Sequence, residues 1–209
     1  MRLRHKPNAI SYMKKNPHIY FGGQENKGKW KEIFGNNNPI YLEIGAGKGE
    51  FICQKAKDNP NFNYIALEVN TNAFVVATRK IESQNLENIR GLIADAKDLE
   101  DIFAENEISG IFLNFSTPWP KKRHHKRRLS NKRFLDRYEK IVKSGSILEM
   151  KTDNKEFFED SLEYFKDFSM QILDCDYNIS EEKSKYISEY ESKFRKINTP
   201  INYLKVKFK

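Results

Sequence analysis

Ile40-Tyr41-Leu42-Glu43-Ile44-Gly45-Ala46-Gly47-Lys48-Gly49 decides the fold of this chain. Five mostly apolar residues form a short strand. A glycine-rich turn stops it, and Glu50 to Lys57 resumes with helical spacing. Glycine lets a chain turn sharply and lets a ligand approach the backbone closely. The first turn of the following helix has N–H groups with no partner inside the helix. A strand, a glycine turn and a helix in that order form the nucleotide-type cradle of a doubly wound sheet. No Walker lysine pattern is present, which excludes a P-loop.

The alternation continues outward. Strands are predicted at Tyr64–Val69, Ile89–Ala94, Ile111–Phe115 and Ile147–Met150. Helices are predicted at Thr71–Ser83, Lys97–Ala104, Asn131–Lys143 and Lys155–Phe168. Gln171–Asp174 and Tyr203–Phe208 supply two last strands, with no long helix between them, so they pair antiparallel at one edge. This pattern predicts an α/β fold: a Rossmann-like, doubly wound, seven-stranded sheet, mostly parallel, with an antiparallel edge strand. Residues 1–38 carry Pro, Gly, Asn and Lys with weak periodicity and are expected to be a basic N-terminal extension of irregular structure. Residues 39–209 are expected to be one domain.

With 209 residues and a net charge of +8, the chain favours a polyanionic partner. The charge is concentrated between Lys121 and Arg128, just behind Asn114-Phe115-Ser116-Thr117-Pro118-Trp119-Pro120. Two prolines stiffen the loop around Trp119. A rigid aromatic beside a cationic run suits either a base-holding site or a packed core aromatic. Cys53 and Cys175 are far apart and lack C-x-x-C spacing, which excludes a zinc ribbon and a disulfide framework; no metal site is expected. No apolar run approaches a membrane span and the basic start has no apolar stretch behind it, so a soluble cytoplasmic protein is expected.

Glu68 ends the second strand, where this fold places a carboxylate on ribose hydroxyls. Asp95 closes the third. Each residue alone suits a helix cap equally well. Together with L-E-I-G-A-G-K-G they resemble the first motif of class I S-adenosylmethionine-dependent methyltransferases, and Asp95 then suits the adenine end of that cofactor. The run P-W-P-K-K-R-H-H-K-R-R-L, Lys151-Thr152-Asp153-Asn154, Ile187 to Phe194 and R-L-R-H-K at the start resemble the bacterial tRNA (guanine-N7-)-methyltransferase family. That family methylates the variable-loop guanine at position 46 in tRNA numbering.

The resemblance implies cofactor contacts from Glu43, Gly45, Gly47, Glu68, Asp95 and the position of Thr117. It implies guanine or tRNA contacts from Lys121, Asp153 and the segment Ser188 to Glu191, and tRNA backbone contacts from Arg123, His124, Lys126, Arg127 and Arg128. Thr117 and Asp153 would be the catalytic positions. The family pattern has Asp where this chain has Thr117, and a hydroxyl cannot act as a carboxylate. Transfer is therefore expected to be weakened but not abolished. Two alternatives stand beside this one: an amino-group base methyltransferase, which S-T-P-W also resembles, and a tRNA-binding homologue with impaired turnover. Both monomer and homodimer suit the fold.

Overall fold

A computed structural model describes residues 6–209; Arg2 to His5, part of the basic start that supports the family resemblance, lie outside the described residues. The described chain forms, in order, α1 (Ala9–Met13), β1 (Ile19–Phe21), α2 (Trp30–Phe34), β2 (Ile40–Ile44), α3 (Glu50–Asp58), β3 (Asn63–Glu68), α4 (Thr71–Ser83), β4 (Ile89–Ile93), α5 (Leu99–Ile102), β5 (Ile108–Asn114), α6 (Lys132–Ile141), β6 (Val142–Thr152), α7 (Lys155–Asp167), β7 (Gln171–Asp176), α8 (Glu189–Arg195) and β8 (Asn202–Lys207). The eight strands make one sheet in the order β1-β4-β3-β2-β5-β6-β8-β7. β8 runs antiparallel to both β6 and β7, and the other pairings are parallel.

The sheet has eight strands, not the seven expected. The eighth comes from the segment expected to be irregular. Ile19-Tyr20-Phe21 pairs with Gly91-Leu92-Ile93 and extends the sheet at its far edge. Trp30 is wholly buried, and its indole N–H donates to the Ile102 carbonyl at 3.1 Å. From Ala9 onward this segment packs into the same core as the rest of the chain. A three-residue strand is too short to show a period, which is why the sequence pattern misses it.

Each helix lays one apolar face on the sheet. α6 buries Leu135, Tyr138 and Ile141, one turn apart. It ends at Ile141, because Val142 turns extended and opens an 11-residue β6, far longer than the predicted Ile147–Met150. The β3 residues Asn63 to Leu67 are all buried, as befits a strand covered on both faces. One core layer joins Leu42, Ile111, Leu148 and Leu204 to Trp30, Phe103 and Phe157; the other joins Ala66 and Phe112 to Phe51 and Phe74. Among the described residues no helix is long and apolar enough to cross a membrane.

Candidate active site at the ends of β2 and β5

The glycine turn leaves β2 with Gly45 and Gly47 at φ of 82° and 58°. Gly45 N–H and Ala46 N–H both donate to the Leu67 carbonyl, at 2.8 and 3.0 Å, which locks the turn onto β3. A Cβ on Gly45 would meet no atom within 4 Å, so the turn borders open space. Gly49 serves packing instead: a Cβ there would land 2.8 Å from Ala77 Cβ, which lets α3 press on α4.

Two carboxylates flank the turn. Glu68 accepts from Gly47 N–H at 2.9 Å with one oxygen and from Asn70 N–H at 2.8 Å with the other. The cap of α4 is Asn70, so Glu68 is not consumed as a helix cap. Asp95 does cap the short 3-10 turn at Ala96–Asp98, accepting from Lys97 N–H at 2.9 Å, and its other oxygen lies 3.6 Å from Lys97 Nζ.

Glu43 is buried at the end of β2. Its Oε1 accepts from Asn114 Nδ2 at 2.9 Å, while Oε2 has no partner. Burial pushes its carboxyl up to about 7; Asn114 and the nearby Lys151 and Lys55 pull it down, and Glu68 pushes it up. An orphaned buried carboxylate oxygen costs free energy unless a donor or a cation arrives. The pocket therefore suits a ligand that brings positive charge.

β5 ends at Asn114, and the chain turns sharply. Phe115 sits at φ 51° and Trp119 at φ 44°, a left-handed conformation that is strained for bulky residues. Phe115 N–H donates to the Lys151 carbonyl at 2.8 Å. Thr117 is exposed, and its hydroxyl makes no hydrogen bond among the described residues. Trp119 is half-buried: the Arg127 guanidinium covers its ring at 5.0 Å, and His124 meets it edge-on with ring centroids 5.7 Å apart. These contacts hold the ring within its own loop.

Lys121, Lys122, Arg123, Lys126 and Arg127 are exposed and have no carboxylate partner among the described residues, so they form an open cationic ridge; His124 is half-buried beside them. Arg128 is a correction. It was expected on the tRNA backbone, yet only 1% of it is exposed. It donates to the Pro118 carbonyl at 2.6 Å, pairs with Asp160 and lies 5.2 Å over the Phe157 ring. It therefore holds the proline loop to α7. His125, Glu156 and Asp160 bring potential metal-ligating atoms within 4.8 Å of one another, but Asp160 is already neutralised by Arg128.

Asp153 follows β6 and is half-buried, with no hydrogen bond or ion pair among the described residues. Asn154, not Asp153, caps α7, accepting from Phe157 N–H at 2.8 Å. Asp153 is thus available to a ligand. Ser188 caps α8 by accepting from Glu191 N–H at 3.1 Å. Glu191, expected to contact guanine, is wholly buried with both oxygens occupied, a second correction. It accepts from Lys151 Nζ at 2.9 Å, Ser184 Oγ at 2.5 Å and Arg195 Nη2 at 2.8 Å. Burial lowers the Lys151 ammonium's pKa, and Glu191 partly restores it. Nothing local in the sequence marks Lys151 for this role, because its partner lies 40 residues away.

The two halves meet. Glu43 on β2 holds Asn114 on β5, and Lys48 of the glycine turn pairs with Glu189 of α8 at 2.7 Å. Gln54 of α3 exchanges hydrogen bonds with Ile187 at 3.3 and 3.4 Å. This sheet order, with a glycine turn after β2 and a carboxylate closing β3, gives the chain the Rossmann-like fold of the class I methyltransferases. Solved structures agree on the fold: a 16S rRNA methyltransferase matches with a TM-score of 0.68 at 15% identity over 86% of this chain and 92% of that one. A methyltransferase from Aquifex aeolicus matches with a TM-score of 0.59 at 13% identity over 99% and 100%.

Residues 37–204 match the family model described as "Putative methyltransferase". A Listeria welshimeri protein named tRNA (guanine-N(7)-)-methyltransferase is 44% identical over 211 residues, covering 100% of this chain and 99% of that protein. A Bacillus subtilis protein of the same name is 40% identical, with 100% of each covered. The chain belongs to the tRNA (guanine-N(7)-)-methyltransferase family.

Proposed function

We propose that this protein transfers the methyl group of S-adenosylmethionine to N7 of a guanine in tRNA, the variable-loop guanine at position 46, in the cytoplasm, as a monomer or homodimer. The observation that carries this reading is the 2.9 Å hydrogen bond from Asn114 to Glu43. It joins the first residue of the proline loop to the carboxylate beneath the glycine turn, so a donor at the turn and a base at the loop would share one mouth.

The residues fit the cofactor. The unpartnered Glu43 oxygen and the open glycine turn suit a ligand with a cationic amino-acid tail, and Glu68 and Asp95 stand at successive strand ends for its ribose and base. When bound, S-adenosylmethionine supplies a methyl group already activated on a sulfonium.

Guanine N7 offers a lone pair and carries no proton at neutral pH, so the protein need not supply a base. Its task is placement in line with the donor. The exposed ridge from Lys121 to Arg127 meets phosphates. Asp153, half-buried and unpartnered, accepts from the N1–H and exocyclic amine of guanine and stabilises the positive charge that develops on the ring. Thr117 adds no charge.

Bulk unmodified tRNA is incubated with the protein and labelled cofactor, and the modified base is identified by mass spectrometry. 7-Methylguanine at position 46 is expected. Label on an adenine or cytosine amino group overturns the reading, as does cofactor binding with no transfer in a single turnover. Thr117→Asp is expected to raise the transfer rate on the order of a hundredfold. No gain from that substitution removes the electrostatic role assigned to this position.

A further inference from the structure

A cavity of about 450 Å³ lies between α8 and the segment that joins β7 to it, and none of the chemistry described above uses it. Glu181, Ser184 and Lys185 line one wall; Ser192, Arg195 and Lys196 line the other. Tyr190 and Phe194 of α8 stack on Phe115. Ser192 and Lys196 each follow one of these rings by two residues, which puts them on the opposite flank of the helix. The cavity therefore faces away from the proline loop and from the cationic ridge behind it.

Three cations against one carboxylate border this space. Lys196 is exposed and has no carboxylate partner among the described residues. Lys185 has a single counter-charge, the exposed Asp58 at 3.0 Å. Arg195 gives Nε and Nη2 to Glu191 and the Ile179 carbonyl, and its Nη1 keeps no partner among the described residues. The Ser192 hydroxyl makes no hydrogen bond among them either. Ser184 is buried between Lys151 and Glu191, at 2.5 Å from each, so its wall is rigid. Cations near a helix C-terminus ordinarily serve its free carbonyls. Here backbone N–H groups of Lys196, Ile197, Asn198 and Thr199 already donate to the carbonyls of Ser192, Phe194 and Arg195. The positive charge is left without a task inside the protein.

We propose that this cavity is a phosphate-binding site, separate from the ridge at Lys121 to Arg127. A phosphoryl group brings several acceptor oxygens and negative charge, which is what unpaired cations and a free hydroxyl recognise. Arg195 Nη1 and the Ser192 hydroxyl donate to it from the helix, and Lys185 and Lys196 close on it from the rim. The same chemistry takes a backbone phosphate of tRNA or the phosphate of a free mononucleotide. Either one meets the far side of the cluster that holds α8 to β6, because Arg195 grips Glu191 and Glu191 grips Lys151. The site does not depend on the methyl transfer proposed above.

Isotope-labelled protein is titrated with inorganic phosphate, uridine monophosphate and uridine, and the backbone amide signals of Ser192 to Lys196 are followed by NMR. Phosphate and the monophosphate are expected to shift these signals, and uridine is not. A variant carrying both Lys185→Ala and Lys196→Ala is expected to lose most of the response, with cofactor affinity and unfolding temperature unchanged. Lys196→Gln alone is expected to lose part of it, which keeps a reading if the double variant folds poorly. The slope of log tRNA affinity against log salt separates the sources: it falls by about one in the double variant if a backbone phosphate sits here. An unchanged slope beside a lost response to the monophosphate assigns the site to a free nucleotide, and a fallen slope with no response to the monophosphate assigns it to tRNA alone. A parent that responds to neither anion, with an unchanged slope in the variant, overturns the site. So does uridine acting as its monophosphate does, and so does an undiminished response to the monophosphate in both variants. A parent that labels no tRNA guanine removes the function proposed above and leaves the titration as it stands.

Discussion

The cofactor half and the nucleic-acid half of this mouth are built on opposite plans. Around the glycine turn, Glu43 keeps an oxygen unpartnered and Gly45 borders open space. Around the proline loop and α8, two of the charged residues that the family resemblance assigned to tRNA are spent internally: Arg128 on Asp160 and Pro118, Glu191 on Lys151, Ser184 and Arg195. Charge in a motif therefore does two jobs. Part of it stays open to solvent, and part of it holds the loop in shape.

The sharpest way to break this contrast is Glu191→Ala. Truncation strands Lys151, whose side chain is 7% exposed, without its counter-charge. A loss of about 3–5 kcal/mol in unfolding free energy is expected, read from urea unfolding. A variant of undiminished stability that fails only on tRNA would return Glu191 to the base and erase the distinction between the halves.

A pH series sharpens the other side. The Glu43 carboxyl keeps its proton up to about 7 in the folded protein, against 4.5 when unperturbed. The folded state then binds more protons than the unfolded one between those values. This contribution is fully present below pH 4.5 and is lost as pH rises to 7, by about 3 kcal/mol at most. Urea midpoints at pH 5 and pH 8 should show the fall, and Glu43→Gln should flatten it. Cofactor binding near pH 6.5 should release a proton in the parent and none in the variant, measured by calorimetry in buffers of different ionisation enthalpy.

The smallest effects separate the two kinds of arginine. Arg128→Ala should cost about 2 kcal/mol of stability and leave the salt dependence of tRNA binding unchanged. Arg123→Ala, Lys126→Ala and Arg127→Ala together should leave stability within about 0.5 kcal/mol. They should reduce the slope of log affinity against log salt by about two to three. Cofactor affinity should not change in either. Collapse of cofactor binding in the triple variant would make the ridge part of the scaffold.

The sheet was legible because its signals are local. A strand, a glycine turn and a helix lie within Ile40 to Asp58, and the same rhythm repeats down the chain. β1 was not legible, since three residues cannot display a period and its pairing with β4 is a tertiary fact. Glu68 and Asp95 could be placed at strand ends by counting; whether each was free or capping could not. Arg128 and Glu191 were misplaced for a common reason. Their partners lie 32 and 40 residues away, and proximity at that range exists only after folding. Asp153 immediately precedes Asn154, which caps α7, and the Asp153 carboxylate is left idle.

The bridge from Lys48 to Glu189 has a thermodynamic corollary. One end belongs to the turn that would greet the small molecule, the other to the helix that would greet the large one. Any ligand that loosens or tightens the contact must alter the affinity of its counterpart by the same factor, whichever arrives first. Both side chains are partly solvated, so the bond is worth less than about 1 kcal/mol and the mutual enhancement stays below about fivefold.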